Sequence, residues 1–225
     1  MDADAIASAW NDVTARIARA APRGGVTLVA VSKTHPPEAI RALAACGARA
    51  FGENYVQEAL GKQAALADLA LEWHAIGPLQ SNKAREVAQH FDWLQTLDRA
   101  KLIEPLARHR DAGSAPLNVL IQVNIDDEAS KSGCAPGDVR ELADLVAAHP
   151  TLRLRGLMAI PAPLDFVRRR EAFRRMRALF EALASEHAAV DTLSMGMSDD
   201  FELAIAEGAT MVRVGSALFG ARRPA

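Results

Sequence analysis

Apolar residues recur along this chain at two spacings, and the two spacings alternate. Over residues 4–21, Ile6, Trp10, Val13 and Ile17 fall on one face at helical intervals. This predicts an amphipathic helix, stopped by Pro22, Gly24 and Gly25. Residues 26–31, Val-Thr-Leu-Val-Ala-Val, are nearly all apolar and rich in β-branched side chains. Such a run predicts a strand buried on both faces, as in a parallel sheet. From there, strands and helices succeed one another without a break. Further strands are predicted over 50–52, 72–76, 93–97, 118–124, 154–160, 192–195 and 211–214. Helices are predicted over 37–46, 54–69, 82–89, 99–110, from Gly137 to His149, over 166–187 and over 199–207, with a short helical piece after 214.

Eight strand–helix units preceded by one extra helix predict an α/β chain folded as a single (β/α)₈ TIM barrel. An open doubly wound sheet is the alternative, but no Gly-x-Gly-x-x-Gly follows the first strand. No linker divides the chain, so one domain is expected over 1–225, with the helix and lead-in at 1–25 and the barrel at 26–220.

A barrel of this kind places function at the C-terminal ends of its strands. The unusual residues fall there. Lys33 follows strand one, just before Pro36-Pro37 open a helix. It reads either as a solvated lysine or as a partly desolvated amine able to form a Schiff base with an aldehyde or ketone. Glu53 and Asn54 follow strand two. Ser194 to Asp199 follow strand seven, and Gly215-Ser216 follow strand eight. The loops after strands seven and eight of such barrels frequently hold a phosphate. The competing reading is that Ser198 and Asp199 only cap a helix. Arg213, between Val212 and Val214, lies inside a strand. There it either meets a ligand ring or phosphate, or forms an internal salt bridge to a carboxylate. After strand three, Gln80, Asn82 and Lys83 can hydrogen-bond a ligand or close the site. His74 reads as a satisfied core histidine. The arginines at 168–170, 174, 175 and 177 read as a solvated helix face balanced by Glu171 and Glu181.

Composition narrows the classes. The net charge of −2 gives no basic field for nucleic acid. Cys46 and Cys134 are far apart, and the six histidines show no paired metal-ligand spacing, so neither a disulfide framework nor a metal site is expected. No leader pattern and no apolar run near the ~20 residues of a membrane helix are seen, so a cytoplasmic protein is expected.

Several stretches resemble one family: Ala30 to Thr34, Phe51-Gly52-Glu53-Asn54-Tyr55-Val56-Gln57-Glu58, His74 to Lys83, Gly156-Leu157-Met158, Leu193 to Asp200 and Val212-Arg213-Val214-Gly215-Ser216. They are similar, in order and over nearly the whole chain, to the pyridoxal phosphate homeostasis proteins, single barrels like the N-terminal domain of alanine racemase. The resemblance implies that Lys33 carries pyridoxal 5′-phosphate as a Schiff base. It implies that Ser198, Gly215 and Ser216 hold the phosphate, that Arg213 faces the pyridine nitrogen, and that Asn54 and Met158 lie near the ring.

It further implies storage of the cofactor, delivery to apo-enzymes and balanced amino-acid and keto-acid pools, without established turnover. A monomer or weak dimer is expected. A one-base amino-acid racemase and an aldolase-type Schiff-base lysine are the alternatives. A two-base racemase is not expected, because the only tyrosine is Tyr55. Lys62, Lys83, Lys101 and Lys131 are candidates for transient cofactor contact.

Overall fold

In a computed structural model of the chain, which describes residues 3–126, 132–162 and 165–220, the alternation closes on itself. The strands are β1 (Thr27–Val31), β2 (Ala50–Glu53), β3 (Glu72–Ala75), β4 (Trp93–Leu97), β5 (Leu117–Gln122), β6 (Leu152–Met158), β7 (Thr192–Ser194) and β8 (Met211–Val214). Each pairs in parallel with the next, and β1 pairs with β8 to close an eight-stranded barrel. Parallel strands need crossovers. These run through α2 (Pro37–Ala45), α3 (Val56–Ala65), α4 (Ala84–His90), α5 (Ile103–His109), α6 (Val139–Ala147), α7 (Phe166–Glu186) and α8 (Phe201–Ala206). The extra N-terminal helix α1 (Ala3–Ala20) packs on α2, α8 and the short α9 (Ser216–Phe219).

Side chains alternate across each strand, so each strand feeds two cores. Ala30, Phe51, Leu94, Leu157, Leu193 and Val212 face the helices and join the large buried cluster. Val29, Ala50, Trp93, Leu120, Met158 and Met211 face inward and fill the barrel. His74, Gln95, Ser194 and Arg213 are also inside, all buried. A barrel interior is normally filled by branched aliphatic layers, so a polar layer is a departure that needs its own account.

Strands β4 and β8 have the predicted bounds. β6 begins two residues before its predicted start, because Leu152 already pairs with Leu117, and it ends before Ile160, which is half-exposed. The predicted helix at 54–69 is shorter, since Tyr55 is extended and Leu66 leaves helical geometry. The loop after β3 opens with a 3₁₀ turn, Ser81–Lys83, rather than α-helix. On α7, Arg177 pairs with Glu181 as expected, but Arg170 and Arg174 both reach Glu207 after α8. Glu207 is only 6 % exposed, so part of this basic face docks α7 instead of facing water.

Candidate functional site

The β1–β8 seam sets the site. Val29 pairs with Arg213 and Ala30 with Val214, so the loops after these strands emerge side by side. Gly215 lets them close: a Cβ there would sit 3.3 Å from Val31 Cβ. The seam opens into a pocket of about 210 Å³ whose walls include Lys33, His35, Ser198, Arg213, Gly215 and Ser216. Five of the residues singled out from sequence thus share one concavity. Asn54 and Met158 do not line it. Asn54 is on the neighbouring β2 loop, where its carbonyl packs so close to Gly77 that a Cβ would lie 2.2 Å away. Met158 is wholly buried in the inner core, one residue before Ala159, whose carbonyl accepts from Arg213. Gln80, Asn82 and Lys83 do not line the pocket, and Lys83 pairs with Glu86.

Two sequence ambiguities resolve. Ser198 does not cap α8. Its Oγ accepts from the N–H groups of Gly215 and Ala217, each at 3.3 Å, and so ties the β7 loop to the β8 loop. Asp200 holds its own loop by accepting from the Met197 N–H at 2.7 Å. Among the described residues Arg213 forms no carboxylate salt bridge. Its Nη1 donates to Ser194 Oγ at 2.6 Å and its Nη2 to the Ala159 carbonyl at 2.9 Å. Burial pushes its pKa down to about 10, with Asp200 acting in the opposite direction. A buried guanidinium held by neutral acceptors keeps its remaining N–H groups and its positive field for whatever enters the pocket.

Lys33 sits on a constrained turn. The next residue, Thr34, has φ of 67°, the only non-glycine at positive φ among the described residues. For a β-branched side chain this costs about 1–3 kcal/mol and persists only where neighbours impose it. The neighbours are charged. Glu58 Oε1 accepts from the Thr34 N–H at 2.6 Å and pairs with Lys62 Nζ at 2.6 Å. Lys62 Nζ also donates to the Ser32 carbonyl at 2.8 Å and to Glu53 Oε1 at 2.7 Å. Ser32 Oγ donates to the same Glu53 oxygen at 2.6 Å. Burial holds the Glu53 carboxyl above the usual range, against the opposing pull of Lys62 and Ser32.

Sequence reasoning missed this network. Lys62, only 5 % exposed, is a structural cation and not a candidate for transient contact with a ligand. The available signal was the strand period, which points Ser32 and Glu53 to the helix side, where α3 must offer a partner. Lys101 is exposed, and Lys131 lies outside the described residues. His74 is fully buried and hydrogen-bonded on both ring nitrogens, as a core histidine should be. Cys134 is buried, and burial pushes its thiol up to about 12, so it stays protonated. No group of side chains suited to a metal ion occurs among the described residues, and no described helix is long and apolar enough to cross a membrane.

An amine, a guanidinium, two hydroxyls and a glycine backbone around one open pocket fit a small ligand with a carbonyl, a hydrogen-bond acceptor on its ring and an anionic tail. The fold is that of the alanine racemase N-terminal domain, whose family description matches residues 1–223. Within that class, the chain belongs to the pyridoxal phosphate homeostasis protein family. It is 57 % identical over 216 residues to the pyridoxal phosphate homeostasis protein of Pseudomonas aeruginosa, covering 93 % of each chain. It is 53 % identical over 226 residues to that of Escherichia coli K12, covering 96 % of this chain and 97 % of the relative. Among solved structures, PipY of Synechococcus elongatus with PLP bound superposes with a TM-score of 0.86 at 39 % identity, over 96 % of this chain and all of that one. Alanine racemase of Corynebacterium glutamicum shares the fold, with a TM-score of 0.69 at 24 % identity, over 98 % of this chain and 61 % of the enzyme.

Proposed function

We propose that this chain binds pyridoxal 5′-phosphate in the β1–β8 pocket, joined through the Lys33 amine as a Schiff base. The observation that carries this reading is the convergence of Lys33, Arg213, Ser198, Gly215 and Ser216 on one concavity. Each element has a role. Lys33 supplies the nucleophile. Ser198, Ser216 and the Gly215 backbone hold the phosphate. Arg213 addresses the ring nitrogen. Asn54, and Met158 from below, support the ring's surroundings.

Bound pyridoxal phosphate can act as an electron sink, most effectively when its ring nitrogen is protonated beside a carboxylate. Arg213 is a donor and a cation, so it keeps that nitrogen unprotonated and weakens the sink. The arrangement therefore favours holding the cofactor over turning it. The chain then acts in the cytoplasm as a store that passes the vitamin to apo-enzymes and steadies vitamin B6, amino-acid and keto-acid pools, as a monomer or weak dimer. The similarity to relatives named for pyridoxal phosphate homeostasis supports this reading.

The test is borohydride reduction of protein incubated with pyridoxal phosphate, followed by peptide mass spectrometry. Labelling at Lys33, with loss of the yellow absorbance in Lys33→Ala, is expected. Labelling confined to another lysine rejects the reading. Stereospecific turnover of an amino acid well above that of free pyridoxal phosphate would replace the carrier with a one-base racemase.

A further inference from the structure

The polar layer inside the barrel is a single ordered run of hydrogen bonds. Arg213 Nη1 donates to Ser194 Oγ at 2.6 Å, and Ser194 Oγ donates to Gln95 Oε1 at 2.7 Å. Gln95 Nε2 lies 2.9 Å from His74 Nδ1, and His74 Nε2 lies 2.8 Å from Glu72 Oε1. The run passes through β8, β7, β4 and β3, from the pocket at one end of the barrel to the other. His74, Gln95 and Ser194 are fully buried. The Glu72 side chain is 44 % exposed and lines a separate cavity of about 410 Å³ with Trp10, Thr27 and Arg49.

The direction of the run follows from its ends. A guanidinium can only donate, and an ionised carboxylate can only accept. Ser194 has one proton and gives it to Gln95. Gln95 therefore turns its oxygen to Ser194 and its nitrogen to His74, with an N–H also 3.2 Å from the weakly accepting Met211 sulfur. His74 must then carry its proton on Nε2, facing Glu72, whose carboxyl is held below its ordinary value chiefly by that bond. The ring plane is fixed by stacking on Trp93, at 5.3 Å and 12°, with the Arg155 guanidinium over the same indole at 4.7 Å. Bonds aligned head to tail polarise one another, so the distant carboxylate strengthens Ser194 as an acceptor.

We propose that Ser194, Gln95 and His74 are positioning residues that anchor the Arg213 guanidinium from inside the barrel and couple it to the Glu72 carboxylate at the opposite end. None of the three lines the pocket. Their action is on the geometry and acceptor partnership of Arg213, and through it on a ligand's ring. The effect on pyridoxal phosphate rests on the function proposed above; the run of bonds itself does not.

The experiment has two arms. The first is histidine ¹⁵N NMR on the cofactor-free protein. His74 is expected with its proton on Nε2, and Ser194→Ala is expected to shift the His74 Nδ1 resonance. The second is titration with pyridoxal phosphate, read by absorbance. Ser194→Ala is expected to weaken binding about tenfold, and Ser194→Thr, which keeps the hydroxyl, to stay within about twofold of the parent. Glu72→Gln, a half-exposed change at the far end, is expected to weaken binding about two- to threefold and to move the absorption maximum of the bound aldehyde. A His74 proton on Nδ1, or a His74 spectrum indifferent to Ser194→Ala, overturns the run of bonds. Unchanged affinity and spectrum in both Ser194→Ala and Glu72→Gln overturn the positioning role. If the parent protein itself fails to take up pyridoxal phosphate, the functional reading fails, and the NMR arm alone decides the run.

Discussion

Two buried polar networks stand behind the pocket, and they accommodate charge in different ways. Behind Lys33, between the sheet and α3, Lys62 pairs with two carboxylates and donates to a carbonyl. Behind Arg213, inside the barrel, a cation meets only neutral acceptors, with Glu72 several bonds away. The first network holds a strained turn, which calls for strong local partners. The second leaves the guanidinium without a carboxylate hydrogen-bond partner, its charge offset only through space by Asp200. A side chain that must be immobilised is paired. One whose field must reach a ligand is oriented by dipoles instead.

The sharpest test of this contrast is Lys62→Met. It leaves Glu53 buried without its cation, and loss of one partner of a buried pair costs about 3–5 kcal/mol. The loss should depend on pH. Glu53 already has its carboxyl raised by burial. Removing Lys62 raises it further, so the folded state prefers the protonated form more than the unfolded state does. Stability should therefore return as pH falls and be poorest at neutral and alkaline pH, which urea unfolding from pH 5 to 8 would show. The double change Lys62→Met/Glu53→Leu should recover most of the loss at pH 7. If it is as unstable as Lys62→Met alone, the pairing account is wrong.

In the interior network, Gln95→Leu leaves Ser194 and His74 each short of one partner, at about 1–3 kcal/mol. Because no full charge loses its only counterion, this loss should vary little between pH 6 and 8. A pH dependence as steep as that of Lys62→Met would erase the distinction between the two networks.

Ser198→Ala removes the acceptor shared by the Gly215 and Ala217 N–H groups. It should weaken pyridoxal phosphate binding by about 1 kcal/mol while moving the melting temperature little, as calorimetric titration beside a thermal melt would report. Thr34→Gly is the mildest change. It relieves the positive φ and should alter stability by less than about 1 kcal/mol, since glycine's gain in the turn is offset by its freedom in the unfolded chain. Its larger effect should be a slower reaction of Lys33 with pyridoxal phosphate, followed by stopped-flow absorbance. An unchanged rate would mean that the strained turn does not orient the amine.

The period of apolar residues was sufficient to determine the barrel, the order of its strands and the residues that crowd their C-terminal ends. Strands 93–97 and 211–214 were legible to the residue from their apolar ends, although Gln95, Thr96 and Arg213 interrupt the runs; every position in both is buried. The amine at Lys33 and the hydroxyls and glycine of the last two loops were legible because they follow such runs directly. The destination of side chains that must choose a partner was not legible. Ser198 was readable as a cap, Arg213 as half of a salt bridge and Lys62 as a loose amine, because sequence spacing carries no information about which loops meet when β1 closes on β8. Those choices are made by contacts between residues distant in the chain, such as Lys62 with Ser32 and Arg213 with Ser194. Burial then makes them binding, because a polar group that has left water must find its partner within reach.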